Sequence, residues 1–266
     1  MGKPVAISAH KGGSGDAIPE HTTAVTYETY KNAITSGAEY VEFDIRRTQD
    51  GVLVVHHDEH AGDSGPRIKD LPYGQLRGIL GYAIPRAEDV MRLLAGKTTG
   101  HLDLKEVGYE AEVMNLALET FGPGSFVATS LEDASILAIK QDFPQVTAAL
   151  SLGRDLADVP RAKWASVRYS ELFPLRRIRA CRADWVAVNH NLARWGVLKL
   201  CGQHGIGAMV WTVDTDHLID QFLADERVNV LVTNRPKYAV ARREQLAPAR
   251  VPATAAASCQ AHQELT

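Results

Sequence analysis

Residues 41–58 read V-E-F-D-I-R-R-T-Q-D-G-V-L-V-V-H-H-D, and this pattern decides how the rest of the chain is organised. Glu42 and Asp44 alternate with Val41, Phe43 and Ile45, so on a strand both carboxylates leave from one face and the other face is apolar. Thr48-Gln49-Asp50-Gly51 signals a tight turn, because Asp-Gly accepts the positive φ angles of a two-residue hairpin loop. A parallel return needs a crossover of roughly a dozen residues, so the chain must fold straight back. With Asp50 and Gly51 as the loop, Gln49 pairs with Val52 and His57 falls opposite Asp44. Glu42, Asp44 and His57 then form one polar cluster, while His56 points the other way and reads as structural. Carboxylates this close repel unless a positive charge separates them, and a divalent cation held by oxygen ligands is the usual solution.

Upstream, residues 5–9 are a short apolar run bounded by Pro4 and a glycine-rich segment, which predicts a buried strand with His10 at its exit. Thr22 or Thr23 caps a predicted helix running to about Ser36, and strand 39–45 follows as a parallel neighbour of the first. Downstream of the hairpin, residues 68–85 are broken by Pro72, Gly74, Gly78 and Gly81, and 86–94 is helical. Predicted strands at 100–104, 125–129, 146–150, 185–188, 208–213 and 229–232 then alternate with helices at 109–120, 131–141, 192–203 and 216–223, and with helical turns up to about Ala180. Setting the hairpin return aside, the strand count gives a (β/α)8 barrel over residues 1–245. Residues 246–266 are rich in Ala, Pro, Ser and Gln without apolar periodicity, and a disordered tail is expected.

Composition narrows the function classes. The chain has 266 residues, 45% hydrophobic and 23% charged, with a net charge of −3 and no basic block, which speaks against a nucleic-acid partner. Its three cysteines are scattered without metal-ligand spacing. The N-terminal apolar run reaches His10 too soon for a signal peptide or a membrane span, so a cytoplasmic protein without stable membrane insertion is expected.

A barrel concentrates its chemistry at the C-terminal ends of its strands. His10 closes the first predicted strand, Glu42 and Asp44 lie on the second, Asp103 and Lys105 end the third, and Trp211 and Asp214 end the seventh. Trp211 reads as a wall of the substrate pocket.

In order along the chain stand His10-Lys11-Gly12, Pro19-Glu20-His21-Thr22, Glu42-Phe43-Asp44, Thr48-Gln49-Asp50-Gly51, His57-Asp58, Leu102-Asp103-Leu104-Lys105, Trp211-Thr212-Val213-Asp214 and Thr233-Asn234-Arg235-Pro236. This ordered set resembles the glycerophosphodiester phosphodiesterase family, whose fold is a TIM barrel of the phospholipase-C-like phosphodiesterase type. The resemblance implies metal-assisted cleavage of a small-molecule phosphodiester, releasing an alcohol and glycerol phosphate. It implies His10 and His57 as general acid and base, and Glu42, Asp44 and Asp103 as holders of one Mg2+ or Ca2+. It also implies Glu20 as support for the loop of the first histidine, and Lys11 and Lys105 on phosphate oxygens. In the family a neighbouring substrate hydroxyl usually attacks, giving a cyclic phosphate that water opens. The residue types suit the reaction: a cation and lysines offset charge that redistributes in the transition state, and histidines titrate near neutrality.

Four departures from the family pattern stand out. Lys11 replaces an arginine, Asp103 replaces a longer glutamate, Asp214 replaces an asparagine and adds negative charge near the mouth, and the segment after His57 points to a reduced inserted subdomain. Two alternatives stay open at this level. One is a lysophospholipase D or sphingomyelinase D-like enzyme that releases a cyclic phosphate, for which Leu172-Phe173-Pro174-Leu175 is a candidate apolar rim. The other is a catalytically weak barrel that binds phosphorylated ligands. Oligomeric state is not encoded in any of these motifs.

Overall fold

Ile7, Val41, Phe43, Leu102 and Leu150 are fully buried in the main core. On the same strands each alternates with a residue that turns inward, which is the period of a closed sheet wrapped in helices. The computed structural model describes residues 4–13, 26–62, 64–157 and 159–246. Its strands are β1 (Ala6–Ala9), β2 (Tyr40–Arg47), β3 (Leu53–Val55), β4 (Thr99–Leu104), β5 (Phe126–Ser130), β6 (Thr147–Leu152), β7 (Trp185–Asn189), β8 (Gly207–Trp211) and β9 (Val230–Thr233). All neighbours pair in parallel except β3, and β1 pairs with both β2 and β9, which closes the barrel. The fold is the expected (β/α)8 barrel with a hairpin extension after its second strand.

Inside the barrel the lower layer is apolar, with Val127, Ala149, Ala187, Met209 and Val230 packed together. Trp185 packs against this layer beside its strand partner Gly207, where a Cβ would come within 2.7 Å of the indole. Toward the C-terminal ends of β2 and β4 the same inward positions become Glu42, Asp44, His101 and Asp103, with Glu42 opposite His101 and Asp44 opposite Asp103. A dry floor thus supports a polar mouth.

Hairpin pairing differs from the expectation by one residue. Ile45 faces Val55 and Arg47 faces Leu53, so the loop is Gln49-Asp50-Gly51 and His56, not His57, stands across from Asp44. Thr48 determines this outcome. Its hydroxyl donates to Asp50 Oδ1 at 2.6 Å and accepts from the Val52 amide at 2.9 Å, and Gly51 takes φ +84° to close a three-residue turn.

Other boundaries moved for identifiable reasons. The first helix is Tyr27–Ile34 with Thr26 as its N-cap in a capping box with Thr29; the expected caps Thr22 and Thr23, like Glu20, lie outside the described residues. A helix at Tyr73–Leu80 runs straight through Gly74 and Gly78. Each glycine costs about 1 kcal/mol against alanine, but Leu76 is buried in a separate small core with Val54, Ile68, Leu71 and Ile84. Tertiary packing outweighs propensity there, and the segment after the hairpin folds around a small core of its own. The predicted helix 192–203 is instead a wide turn at Ala193–Val197, broken by Gly196 at φ +112°, followed by Leu198–Gln203. A helix absent from the sequence reading, Pro236–Leu246, packs along the outside of β1, where Arg243 Nη1 donates to the Val5 carbonyl at 2.8 Å. The predicted tail lies outside the described residues beyond its first residue, Leu246, which ends this helix. Among the described residues no helix is long and apolar enough to cross a membrane.

Candidate active site

β2 and β4 lie side by side in register, and this alone brings their carboxylates together. One oxygen from each of Glu42, Asp44 and Asp103 lies within 4.8 Å of the others. Glu42 and Asp44 are almost fully buried, at 4% and 3% exposure. Lys105, the next residue after β4, reaches back so that Nζ is 2.8 Å from Asp44 Oδ1 and 2.6 Å from Asp103 Oδ2. Asp44 Oδ1 is buried and, apart from this ammonium, takes no hydrogen bond from the described residues.

Charge in this cluster is poorly balanced by protein groups alone. Burial, then Asp44 and Asp103, push the Glu42 carboxyl well above its ordinary value. Burial acts the same way on Asp44, but Lys105, His57 and Lys11 together outweigh it and hold that carboxyl below the usual range. Burial opposes the charge on Lys105, yet Asp103, Asp44 and Glu42 keep its ammonium protonated. Three hard oxygen donors with one lysine between them suit a small divalent cation, and Asp44 Oδ1, contacted by that lysine but by no hydrogen-bond donor of lower charge among the described residues, is a ready ligand.

A second network fixes Asp103. Thr129 donates its hydroxyl to Asp103 Oδ1 at 2.6 Å, so the Thr129 oxygen accepts from His101 Nε2 at 3.2 Å and His101 Nδ1 accepts from Ser8 at 3.0 Å. Desolvation pushes the buried His101 down to about 4, so it stays neutral in this chain of hydrogen bonds. His101, Thr129 and Ser8 were not singled out from sequence. Their signal is the inward register of β1, β4 and β5, which was available only as alternation.

His10 stands where β1 ends in a tight turn, with Lys11 in the left-handed region at φ +49°. This conformation costs about 1 kcal/mol for a side-chain-bearing residue. It aims the Lys11 amide at Glu42 Oε2, which accepts at 2.7 Å. Lys11 therefore touches the cluster through its backbone, and its side chain is not among the described residues that line the cavity. His10 Nδ1 lies 2.8 Å from Asn234 Oδ1. Desolvation first, then the Lys11 charge, against the pull of Asp44, take the imidazole down to about 4.

His57 reaches the site although the hairpin register differs. β3 ends at Val55, the chain leaves the ladder, and the Arg46 guanidinium donates to the His57 carbonyl from Nε at 3.1 Å and Nη2 at 2.8 Å. His57 Nδ1 lies 2.8 Å from Asp58 Oδ1. Partial desolvation lowers its pKa, with Asp44 opposing and Lys105 and Lys11 adding to the drop. His56 turns away and bonds the His60 carbonyl, as expected of a structural residue. Arg46 was missed in the sequence, yet it is the next position of the Glu42, Asp44 alternation.

These groups share one cavity of about 1170 Å³ at the C-terminal mouth, lined among others by His10, Glu42, Asp44, His57, Asp103 and Lys105. Trp211 walls it from β8, with its indole N–H tied to the Ala187 carbonyl at 3.0 Å. Asp214 has its oxygens engaged by the barrel itself. Its carboxylate accepts from Thr233 Oγ1, the Asn234 amide and Asn234 Nδ2 at 3.1, 2.8 and 2.8 Å.

Comparison with known families places the chain. The profile of the Glycerophosphoryl diester phosphodiesterase family matches residues 10–238. The chain belongs to this family. As a glycerophosphoryl diester phosphodiesterase by family, it is a hydrolase. YhdW of Bacillus subtilis, named as a glycerophosphodiester phosphodiesterase, is 22% identical over 251 residues, covering 88% of this chain and 96% of its own. A family structure from Parabacteroides distasonis superposes with a TM-score of 0.73 at 17% identity, covering 93% of this chain and 100% of that one. A phosphodiesterase of Oleispira antarctica, solved with the product sn-glycerol-3-phosphate, superposes at 0.68 with 17% identity, covering 91% and 97%.

Proposed function

We propose that this family member hydrolyses glycerophosphodiesters to an alcohol and glycerol phosphate. In this reading His10 and His57 transfer protons, and Glu42, Asp44 and Asp103 hold one Mg2+ or Ca2+. The observation that carries it is the convergence of three carboxylate oxygens within 4.8 Å, beside an ammonium and two imidazoles on one cavity. The product bound to the Oleispira relative agrees in chemical class with the glycerol phosphate expected here.

Each protein group has a separate task. Asn234 accepts the Nδ1 proton of His10, which leaves the lone pair on Nε2, and desolvation keeps that ring unprotonated near neutrality. His10 is therefore the base that takes the proton from the attacking hydroxyl. His57 has a carboxylate partner in Asp58, which works against the desolvation that lowers its pKa, and it returns a proton to the leaving alkoxide as the P–O bond breaks. Lys105, held protonated by the acids, stands ready for a non-bridging phosphate oxygen. A divalent cation on the three acids would offset charge on the phosphate. The two histidines exchange roles if the first product is a cyclic phosphate that water opens. Trp211 supplies a flat apolar wall for the substrate.

Phosphorus NMR of the metal-loaded protein tests the reading, with glycerophosphocholine, glycerophosphoethanolamine, lysophosphatidylcholine and sphingomyelin as substrates. A glycerol phosphate monoester resonance supports it. A cyclic phosphate that persists would move the chain to the lipid-directed alternative, and absence of turnover with all four would contradict catalysis.

A further inference from the structure

Every exposed large aromatic among the described residues lies on one side of the barrel mouth. They are Trp164, Tyr169, Phe173 and Trp195, and Trp195 and Tyr169 are 77% and 66% exposed. All sit in the two segments that follow β6 and β7. The helix Trp164–Leu172 packs against the wide turn Ala193–Val197 that carries Trp195. The rings of Tyr169 and Phe173 are 4.9 Å apart, and Trp164 Nε1 donates to the Val159 carbonyl at 2.8 Å. Val159, Leu172 and Trp195 also line the catalytic cavity, so the aromatic patch runs without a break into the site.

Charge in the same segments is biased. Arg161, Lys163, Arg176, Arg194 and Lys199 are exposed there, in a chain whose net charge is −3. The first of these segments opens on Asp155 and Asp158, but from residue 159 to 199 the acids are Glu171, which is buried and paired with Arg168, and Asp184, which is bound to Lys140. Arg161 also lies over the Trp164 ring, 5.9 Å from its centroid. An exposed apolar patch of this kind marks an interaction surface. Amphipathic rings beside basic groups with no ion pair among the described residues suit the boundary of an anionic lipid layer, where rings sit at headgroup level and basic residues are drawn to the surface charge.

We infer that this aromatic and basic crown docks the barrel mouth onto a lipid surface carrying anionic headgroups. The wide turn serves the docking directly. Gly196 breaks the helix just where Trp195 stands proud of the rim, so the indole enters the lipid boundary while its backbone stays anchored by buried Val197 and Leu198. The contact is peripheral, and it brings the open end of the cavity against the layer. This inference rests on the patch and its charge, and its test does not depend on turnover.

Co-sedimentation of the full chain with phosphatidylcholine vesicles, with and without an equal part of phosphatidylglycerol, provides the test. Binding only to the mixed vesicles, weakened by salt and accompanied by a blue shift of tryptophan emission, is the expected result. The double variants Tyr169→Ser with Phe173→Ser, and Arg161→Glu with Lys163→Glu, each reduce the vesicle-bound affinity roughly tenfold or more. Both keep their turnover of soluble glycerophosphocholine, because none of these four side chains lines the cavity. Should the aromatic pair disturb folding, as read by circular dichroism, the charge-reversal pair carries the test alone. No sedimentation of the wild-type chain with mixed vesicles overturns the inference. So does equal binding by the charge-reversal variant, or a self-associated species that fails to bind vesicles. Failure of glycerophosphocholine turnover in the wild type would strike the proposed function and leave the docking result standing.

Discussion

Asn234 Oδ1 accepts the Nδ1 proton of His10, and it can only do so because Asp214 has already claimed the Asn234 amide nitrogen. A carboxylate accepts and never donates, so Asn234 Nδ2 must face Asp214 and Oδ1 must face the imidazole. The last turn of the barrel thereby dictates the tautomer of a residue at its first strand. Asn234→Ala is expected to lower kcat by roughly ten- to a hundredfold with little change in KM, the range typical of lost positioning partners. The Asn234 bond also raises the His10 pKa. The acid limb of kcat/KM therefore moves to lower pH in the variant, a shift that a purely structural role would not produce.

His10 must be unprotonated to act as the base, and its pKa is taken down to about 4. The acid limb of kcat/KM in the free enzyme should then fall nearer pH 4 than the ordinary histidine value of about 6.5. A limb at the ordinary value would argue that desolvation of His10 is not retained in solution.

Stability has its own pH signature. His101 also titrates near 4 when folded, against about 6.5 when unfolded. Between these values the unfolded chain binds more protons, so stability declines as pH falls from about 6.5 toward 4 and is fully present above that window. His101→Gln should flatten part of this decline in urea denaturation at a series of pH values. An unchanged slope would remove His101 from the account.

Lys105 holds the acid cluster together when no metal is bound. Lys105→Met leaves Asp44 and Asp103 without the ammonium that contacts both. Breaking a buried charge pair from one side costs about 3–5 kcal/mol. The variant should melt well below the wild type in EDTA and regain more of the loss on adding Mg2+ or Ca2+ than the wild type gains. A metal-induced rise in Tm that is no larger in the variant would contradict the cluster as the cation site.

His57 can be separated from His10 by changing the leaving group. With a glycerophosphodiester of p-nitrophenol, whose phenolate needs no proton to depart, His57→Ala should recover most of its turnover while His10→Ala should not. Recovery by the His10 variant instead would exchange the two roles.

Much of this was readable in the sequence because it depends on alternation alone. Glu42 and Asp44 among Val41, Phe43 and Ile45 fixed both the inward face and the apolar layer behind it, and the strand count fixed the barrel. The hairpin register was not readable, since the side chain of Thr48 selected a three-residue turn over the two-residue turn that Asp-Gly favours. His57 reached the site anyway because Arg46 holds its carbonyl, a contact that pairing rules do not describe. Asp214 looked like added charge at the mouth, and only the fold shows its oxygens committed to Thr233 and Asn234. The helix through Gly74 and Gly78 rests on long-range burial of Leu76, which local propensity does not register.

Calorimetric titration of Mg2+ and of Ca2+ into the wild type and five single variants, with turnover measured alongside, bears most directly on the paired roles assigned to acids and imidazoles. Glu42→Gln, Asp44→Asn and Asp103→Asn should each lose most of the metal affinity. His10→Ala and His57→Ala should bind metal as the wild type does and yet turn over no glycerophosphocholine. Metal affinity lost to the same degree in the histidine variants, or kept in all three acid variants, would contradict the arrangement described for this site.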